Sequence, residues 1–214
     1  MGIITRRNFN MKKFDTKSLV LMGMLTALLI VFAFTPIGSI PVGGLSITLS
    51  IIPIAIGAIA LGPAGGAAMG AVFGLLSFLQ CIPIGMPSGM GIATFEISPV
   101  LTFVQRFIPR VLDGLLVGFI YRATAKKINA GTACFVGGFF SAFLNTIFFL
   151  SALFLLFGSS DYAQSLRGGK GILAYIGFIL VRNSILEIIA STVISGAVGS
   201  ALIKAGLIEA PENN

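Results

Sequence analysis

Six stretches of this chain are apolar over lengths near or beyond what a helix needs to cross a hydrocarbon core about 30 Å thick. They are residues 18–35, 47–61, 64–82, 101–121, 131–157 and 171–203. Continuous apolar runs of this length read as spanning helices. The expected fold is therefore an all-α integral membrane protein, a bundle of six transmembrane helices. The second stretch is short and the sixth too long for a perpendicular crossing, so tilt or an interfacial first turn at 171–175 is expected. Of the 214 residues, 56% are hydrophobic, 10% are charged and 27 are glycine, which leaves no room for a large soluble domain. The organisation expected is a basic N-terminal segment over 1–17, a membrane domain over 18–204 and a short tail over 205–214.

The 14 lysines and arginines orient the bundle, because positive charge is retained on the cytoplasmic side of span ends. Arg6, Arg7, Lys12, Lys13 and Lys17 precede the first stretch; Arg122, Lys126 and Lys127 follow the fourth; Lys204 follows the sixth. With six spans these nine share one side, against Arg167 and Lys170 on the other. Both termini are expected in the cytoplasm. Tyr121, Tyr162 and Tyr175 fall near span ends, as interfacial aromatic rings do. The Thr5-Arg6-Arg7-Asn8-Phe9 run resembles a twin-arginine export signal, but five more spans follow and no small-residue cleavage site closes the first. Met11 offers an alternative start, which makes 1–10 an extension. The net charge of +7 is accounted for by topology and the membrane interior, so no nucleic-acid partner is expected.

Several chemistries are excluded. The chain has no histidine, which removes imidazole-based catalysis and histidine-ligated zinc or haem. Cys81 and Cys134 are too few and too far apart for a metal cluster or a disulfide framework. Gly168-Gly169-Lys170-Gly171 lacks the upstream glycine and the hydroxyl residue of a phosphate loop, so the chain is not its own ATPase. Gly85-Met-Pro-Ser-Gly89 misses the nucleophile-elbow pattern. No enzymatic activity and no cofactor are expected.

Small residues recur every four positions. Gly62, Gly66, Gly70 and Gly74 share one face, as do Gly114 and Gly118, and Ser191, Ser195 and Gly199. Such stripes let helices approach closely in lipid, and internal packing is their expected role. Gly23 and Ala27 on the first stretch have the same spacing and fit either a partner or another span of this chain. The segments 36–46 and 83–99, with Glu96 their one charged residue, are rich in proline and glycine. They either fold over a cavity and cap it or pack on the outer rim of the bundle. Gly62-Pro63 reads as a tight cytoplasmic turn.

Ionisable groups inside a membrane cost about 2.5–3.5 kcal/mol each on insertion scales and mark functional sites. Here they are Arg106, Arg110, Asp113, Arg182 and Glu187. At 1.5 Å per residue, Arg106 lies about 8 Å below the outer start of its span, with Arg110 one turn deeper on the same face. Gln80, Asn145, Arg182 and Asn183 fall at similar depth in the outer half. Arg110 with Asp113 and Arg182 with Glu187 are candidate charge-neutralising pairs. Three arginines against two acids leave an excess that a bound anion can satisfy. The ligand class implied is a small carboxylate with hydroxyl or amide groups, reached from outside.

These features resemble the substrate-binding S components of energy-coupling-factor (ECF) vitamin transporters over nearly the whole chain. The resemblance rests on the six-span layout and the small-residue face of the first span. It rests further on Ile47-Thr-Leu-Ser-Ile-Ile-Pro-Ile-Ala-Ile-Gly, Leu61-Gly-Pro-Ala-Gly-Gly and Phe73-Gly-Leu-Leu-Ser-Phe-Leu-Gln80. The Pro99-Val-Leu-Thr-Phe and Arg106-Phe-Ile-Pro-Arg110 stretch is most like the pantothenate type. The family's Ala-x-x-x-Ala motif has Gly23 at its first position here. The resemblance implies a multi-pass protein of a prokaryotic cell membrane that captures a vitamin, pantothenate favoured, for ATP-driven uptake. It implies a transmembrane coupling (T) protein docked on Gly23 and Ala27, with two ATP-binding-cassette ATPases beneath. It implies a carboxylate bound by Arg106 and Arg110, with Gln80, Asn145 and Asn183 on the polar body and Arg182 nearby. Hydroxymethylpyrimidine, pyridoxine or folate as the ligand, and a self-sufficient six-span secondary transporter, are the alternatives.

Overall fold

The computed structural model describes residues 16–42, 45–82, 84, 86–180 and 184–208, with the backbone alone at 39–42 and 45–47. The basic segment up to residue 15, Arg182, Asn183 and the tail from 209 lie outside the described residues. Eight helices are described: α1 (Thr16–Phe34), α2 (Ile51–Leu79), α3 (Gly89–Ile97), α4 (Pro99–Ala125), α5 (Ala130–Phe157), α6 (Asp161–Arg167), α7 (Ile172–Ile179) and α8 (Ile185–Lys204). Helices α1, α2, α5 and α8 are long and apolar enough to cross a membrane. Helix α4, at 27 residues, matches them in length but carries Arg106, Arg110 and Asp113 on its buried face.

Helix α2 is two helical arms folded back on each other. At Gly62 the backbone leaves the helix with φ 74° and ψ −165°, and Pro63 starts the second arm with its fixed φ and no N–H to satisfy. Past this point the arms run antiparallel: Gly57 lies against the Met69 side chain, and Ala58 lies against Gly66. Gly62 is required by its positive φ, and the Arg122 guanidinium lies against it. The turn expected at Gly62-Pro63 is thus a helical hairpin.

The glycine face of the second arm meets helix α4 backbone to backbone. A Cβ on Gly66 would strike the Gly114 carbonyl, one on Gly114 would strike that of Gly66, and Gly70 lies on the Arg110 carbonyl. Gly118 closes the seam on Pro63. On the far side, Ser191 Oγ donates to the Gly138 carbonyl at 2.8 Å, and Ser200 Oγ to Gly131 at 3.1 Å, which joins α8 to α5. These small residues are internal packing, as their spacing predicts.

Two features depart from the expected layout. Residues 47–61 do not form one span: Leu45–Thr48 is strand β2, paired antiparallel with β1 (Ser39–Val42), and the helix begins only at Ile51. Gly43-Gly44 between two β-favouring runs is the sequence signal for such a hairpin. Residues 171–203 divide into α7 and α8, and α6 precedes them, capped by Ser160 Oγ accepting from the Ala163 N–H at 3.2 Å. The described part of that sixth stretch is α7 followed by α8.

Candidate functional site

Helix α4 starts where Ser98 caps it, with Pro99 in the first turn, and its inner face presents Thr102, Gln105, Arg106, Pro109, Arg110 and Asp113. All are buried, and opposite them α5 presents Ser141, Asn145 and Phe149, spaced four apart. The Arg106 and Arg110 guanidinium carbons lie 5.0 Å and 4.4 Å from the centroid of the Phe149 ring. Phe73 of α2 holds Arg110 from a second direction at 4.9 Å. The two like charges repel, and the aromatic faces attract each guanidinium in turn.

The donors of this pair are partly unspent. Arg106 donates through Nη1 to Ser77 Oγ at 3.5 Å and through Nη2 to Ser88 Oγ at 3.3 Å, while its Nε is unpartnered. Arg110 Nε and Nη1, Asn145 Oδ1, Thr102 Oγ1 and both amide atoms of Gln105 are buried without partners. Buried polar groups are almost always satisfied, so such a concentration marks a place that a polar ligand or water completes. The pairing of Arg110 with Asp113 is not made: Asp113 Oδ2 accepts from Ser141 Oγ at 3.5 Å and its Oδ1 has no partner. The aromatic rings draw Arg110 away, although the two residues are only three apart. Glu187 accepts instead from the Thr48 backbone N–H at 2.6 Å, and Arg182 lies outside the described residues.

The start of α3 packs against Arg106. Ser88 both caps α3, accepting from the Gly91 N–H at 3.1 Å, and receives Arg106. A Cβ on Gly91 would stand 3.0 Å from Arg106 Nη2 and closer still to Cys81 Sγ, so α3 packs tightly on both side chains here. Phe78 packs on Phe95 and Phe103, which ties α2, α3 and α4 together. Tyr162 of α6 is half-buried, which pushes its phenol above the ordinary value, and nearby Arg106 opposes that shift. An open cleft of about 480 Å³ near α3 and α6 is lined by Glu96, Asp161 and Tyr162. Its lining carries two acids and no cation.

The structure brings Arg106, Arg110 and Asn145 to facing sides of α4 and α5. Gln80 stands apart: its amide Nε2 donates to the Ala33 carbonyl at 3.2 Å, which also accepts from the Met86 N–H at 3.1 Å. Gln80 thereby fastens the end of α1 to the outer segment. Asn183 lies outside the described residues. Ser77, Ser88, Phe73, Phe149, Thr102 and Gln105 join the site only through tertiary packing. Gln105 and Thr102 share a helical face with the arginines, and that periodicity was the available signal. Gly23 and Ala27 are exposed on α1, with nothing within 4 Å of a Cβ on Gly23, while Leu25 and Leu29 face the core.

Comparison with known proteins places the chain in a family. Residues 17–198 match the family described as ECF transporter, substrate-specific component. The pantothenic acid transporter PanT of Lactococcus lactis subsp. cremoris is 34% identical over 166 residues, covering 74% of this chain and 78% of that protein. The pantothenate transporter PanT of Leuconostoc mesenteroides is 29% identical over 199 residues, covering 88% of this chain and 93% of that protein. These relatives are transporters, and the long apolar helices fit a multi-pass membrane protein. The chain belongs to the family of ECF transporter substrate-specific components.

Proposed function

We propose that this protein captures pantothenate from outside the cell and delivers it for ATP-driven uptake by a partner module. The observation that carries the reading is the pair of buried guanidiniums with unspent donors beside the Asn145 carbonyl. A carboxylate matches the donors of Arg106 and Arg110, and hydroxyl or amide groups match Asn145 and the inner face of α4. The relatives named for pantothenate support this ligand over other carboxylates.

In this reading the chain crosses the membrane six times, with the arms of α2 as the second and third passages and α7 with α8 as the sixth. Both termini are cytoplasmic, and segments 36–46 and 83–99 close the site from outside. The exposed small-residue face at Gly23 and Ala27 receives the transmembrane coupling protein, beneath which two ATPases act. Arg182 and Asn183 complete the site from the start of the sixth passage. The decisive experiment is calorimetry of the purified protein against water-soluble vitamins, paired with uptake into proteoliposomes. Tight pantothenate binding without accumulation is expected; accumulation without an ATPase module would show a self-sufficient transporter instead.

A further inference from the structure

We infer that Phe149 is a positioning residue for anion capture, its ring holding the Arg106 and Arg110 guanidiniums together as one carboxylate clamp. The inference rests on the proposal that these two arginines bind the ligand's carboxylate.

On α4 the arginines are neighbours of like charge, and among the described residues no carboxylate forms a hydrogen bond or ion pair with either one. The Asp113 oxygen that has a partner is engaged with Ser141, and Arg110 Nε and Nη1 are buried with none. What the two share is the Phe149 ring, 5.0 Å from one guanidinium carbon and 4.4 Å from the other. Phe73 fixes Arg110 further, at 4.9 Å, but Arg106 has no contact of that kind with Phe73 among the described residues. Among the described residues, Phe149 is the one ring that both guanidiniums share.

The chemistry of a ring suits this task better than that of an acid. An aspartate would neutralise a guanidinium and occupy its N–H fork, leaving little for a ligand. An aromatic face attracts the cation through its quadrupole and leaves the in-plane donors free. Asn145 lies one turn before Phe149 on the same face of α5, so a single helix aligns the clamp and a polar contact beside it.

The test is calorimetry on the full chain with pantothenate and with panthenol, the analogue whose carboxylate is replaced by a primary alcohol. Phe149→Leu is expected to raise the Kd for pantothenate about tenfold or more while that for panthenol stays within about threefold. Phe149→Tyr keeps the aromatic face and is expected to stay within about threefold for both. Equal loss of both ligands in Phe149→Leu, an unchanged preference for pantothenate, or a tyrosine variant as impaired as leucine would overturn the inference. Wild-type protein that binds both ligands equally, or neither, would instead overturn the assignment of the arginines to the carboxylate.

Discussion

The Glu187 carboxylate accepts a 2.6 Å hydrogen bond from the backbone N–H of Thr48, a residue 139 positions earlier in the chain. It clips the hairpin of β1 and β2, which follows α1, onto the first turn of α8. The other end of that connection is held by Gln80 on the Ala33 carbonyl. Segment 36–46 is therefore anchored at both flanks to helices of the bundle. A hydrogen bond to a charged acceptor contributes about 1.5–3 kcal/mol. Glu187→Ala is expected to lower the midpoint of thermal unfolding in detergent by several degrees. Glu187→Gln keeps an acceptor at the same reach and is expected to lose less. An alanine variant that melts with the wild type would show that the clip carries no stability.

The two arginines should differ in what their removal costs. Arg110 has unspent buried donors and no hydrogen-bonding side chain to retain, so Arg110→Gln is expected to weaken pantothenate binding by about 30-fold or more. Arg110→Lys keeps the charge but loses the planar fork, and about tenfold weakening is expected. Arg106→Gln also frees Ser77 and Ser88, and should accelerate ligand dissociation because Ser88 ties α3 over the site. Calorimetry and stopped-flow dissociation separate these effects; wild-type affinity in Arg110→Gln would remove Arg110 from the site.

Glycines at backbone contacts are expected to be intolerant. Gly66 and Gly114 each stand where a Cβ would meet the other's carbonyl group. Gly114→Leu forces the second arm of α2 away from α4, at a cost of about 3 kcal/mol or more. Size-exclusion chromatography should show aggregation or loss of the monodisperse species. A well-folded Gly114→Leu protein would mean that the two helices can separate without penalty.

The outer face of α1 should behave in the opposite way. Gly23 has open space around it and Ala27 is exposed, so neither position serves the chain's own packing. Gly23→Leu and Ala27→Trp are expected to fold and bind pantothenate like the wild type. In cells that supply the coupling module, uptake should fall at least about tenfold because the close helix approach is blocked. Loss of ligand binding together with uptake would refute docking as the role of this face.

Much of the fold was legible because the membrane imposes it. Long apolar runs must be helices, and the four-residue spacing of Gly66, Gly70 and Gly74 announces a close neighbour. The hairpin over Ser39–Val42 and Leu45–Thr48 was signalled by Gly43-Gly44 alone, since a short β ribbon has no period that stands out beside helices of some 30 residues. Gln80 shared a depth with the arginines, yet its amide is spent on α1. Depth and direction are separate coordinates, and helical rise supplies only the first.

The sequence by itself determined that this chain lives in a membrane, which residues are small enough to let helices touch, and which side chains are too polar to be idle there. Only the tertiary structure decided how those polar groups are partnered. It set Arg110 against Phe73 and Phe149, left Asp113 to Ser141, and gave Glu187 to the Thr48 backbone. The reason is physical: a helix fixes the height and angle of each side chain on its own axis. The neighbour it meets is set by how every other helix packs around it, which no local pattern contains.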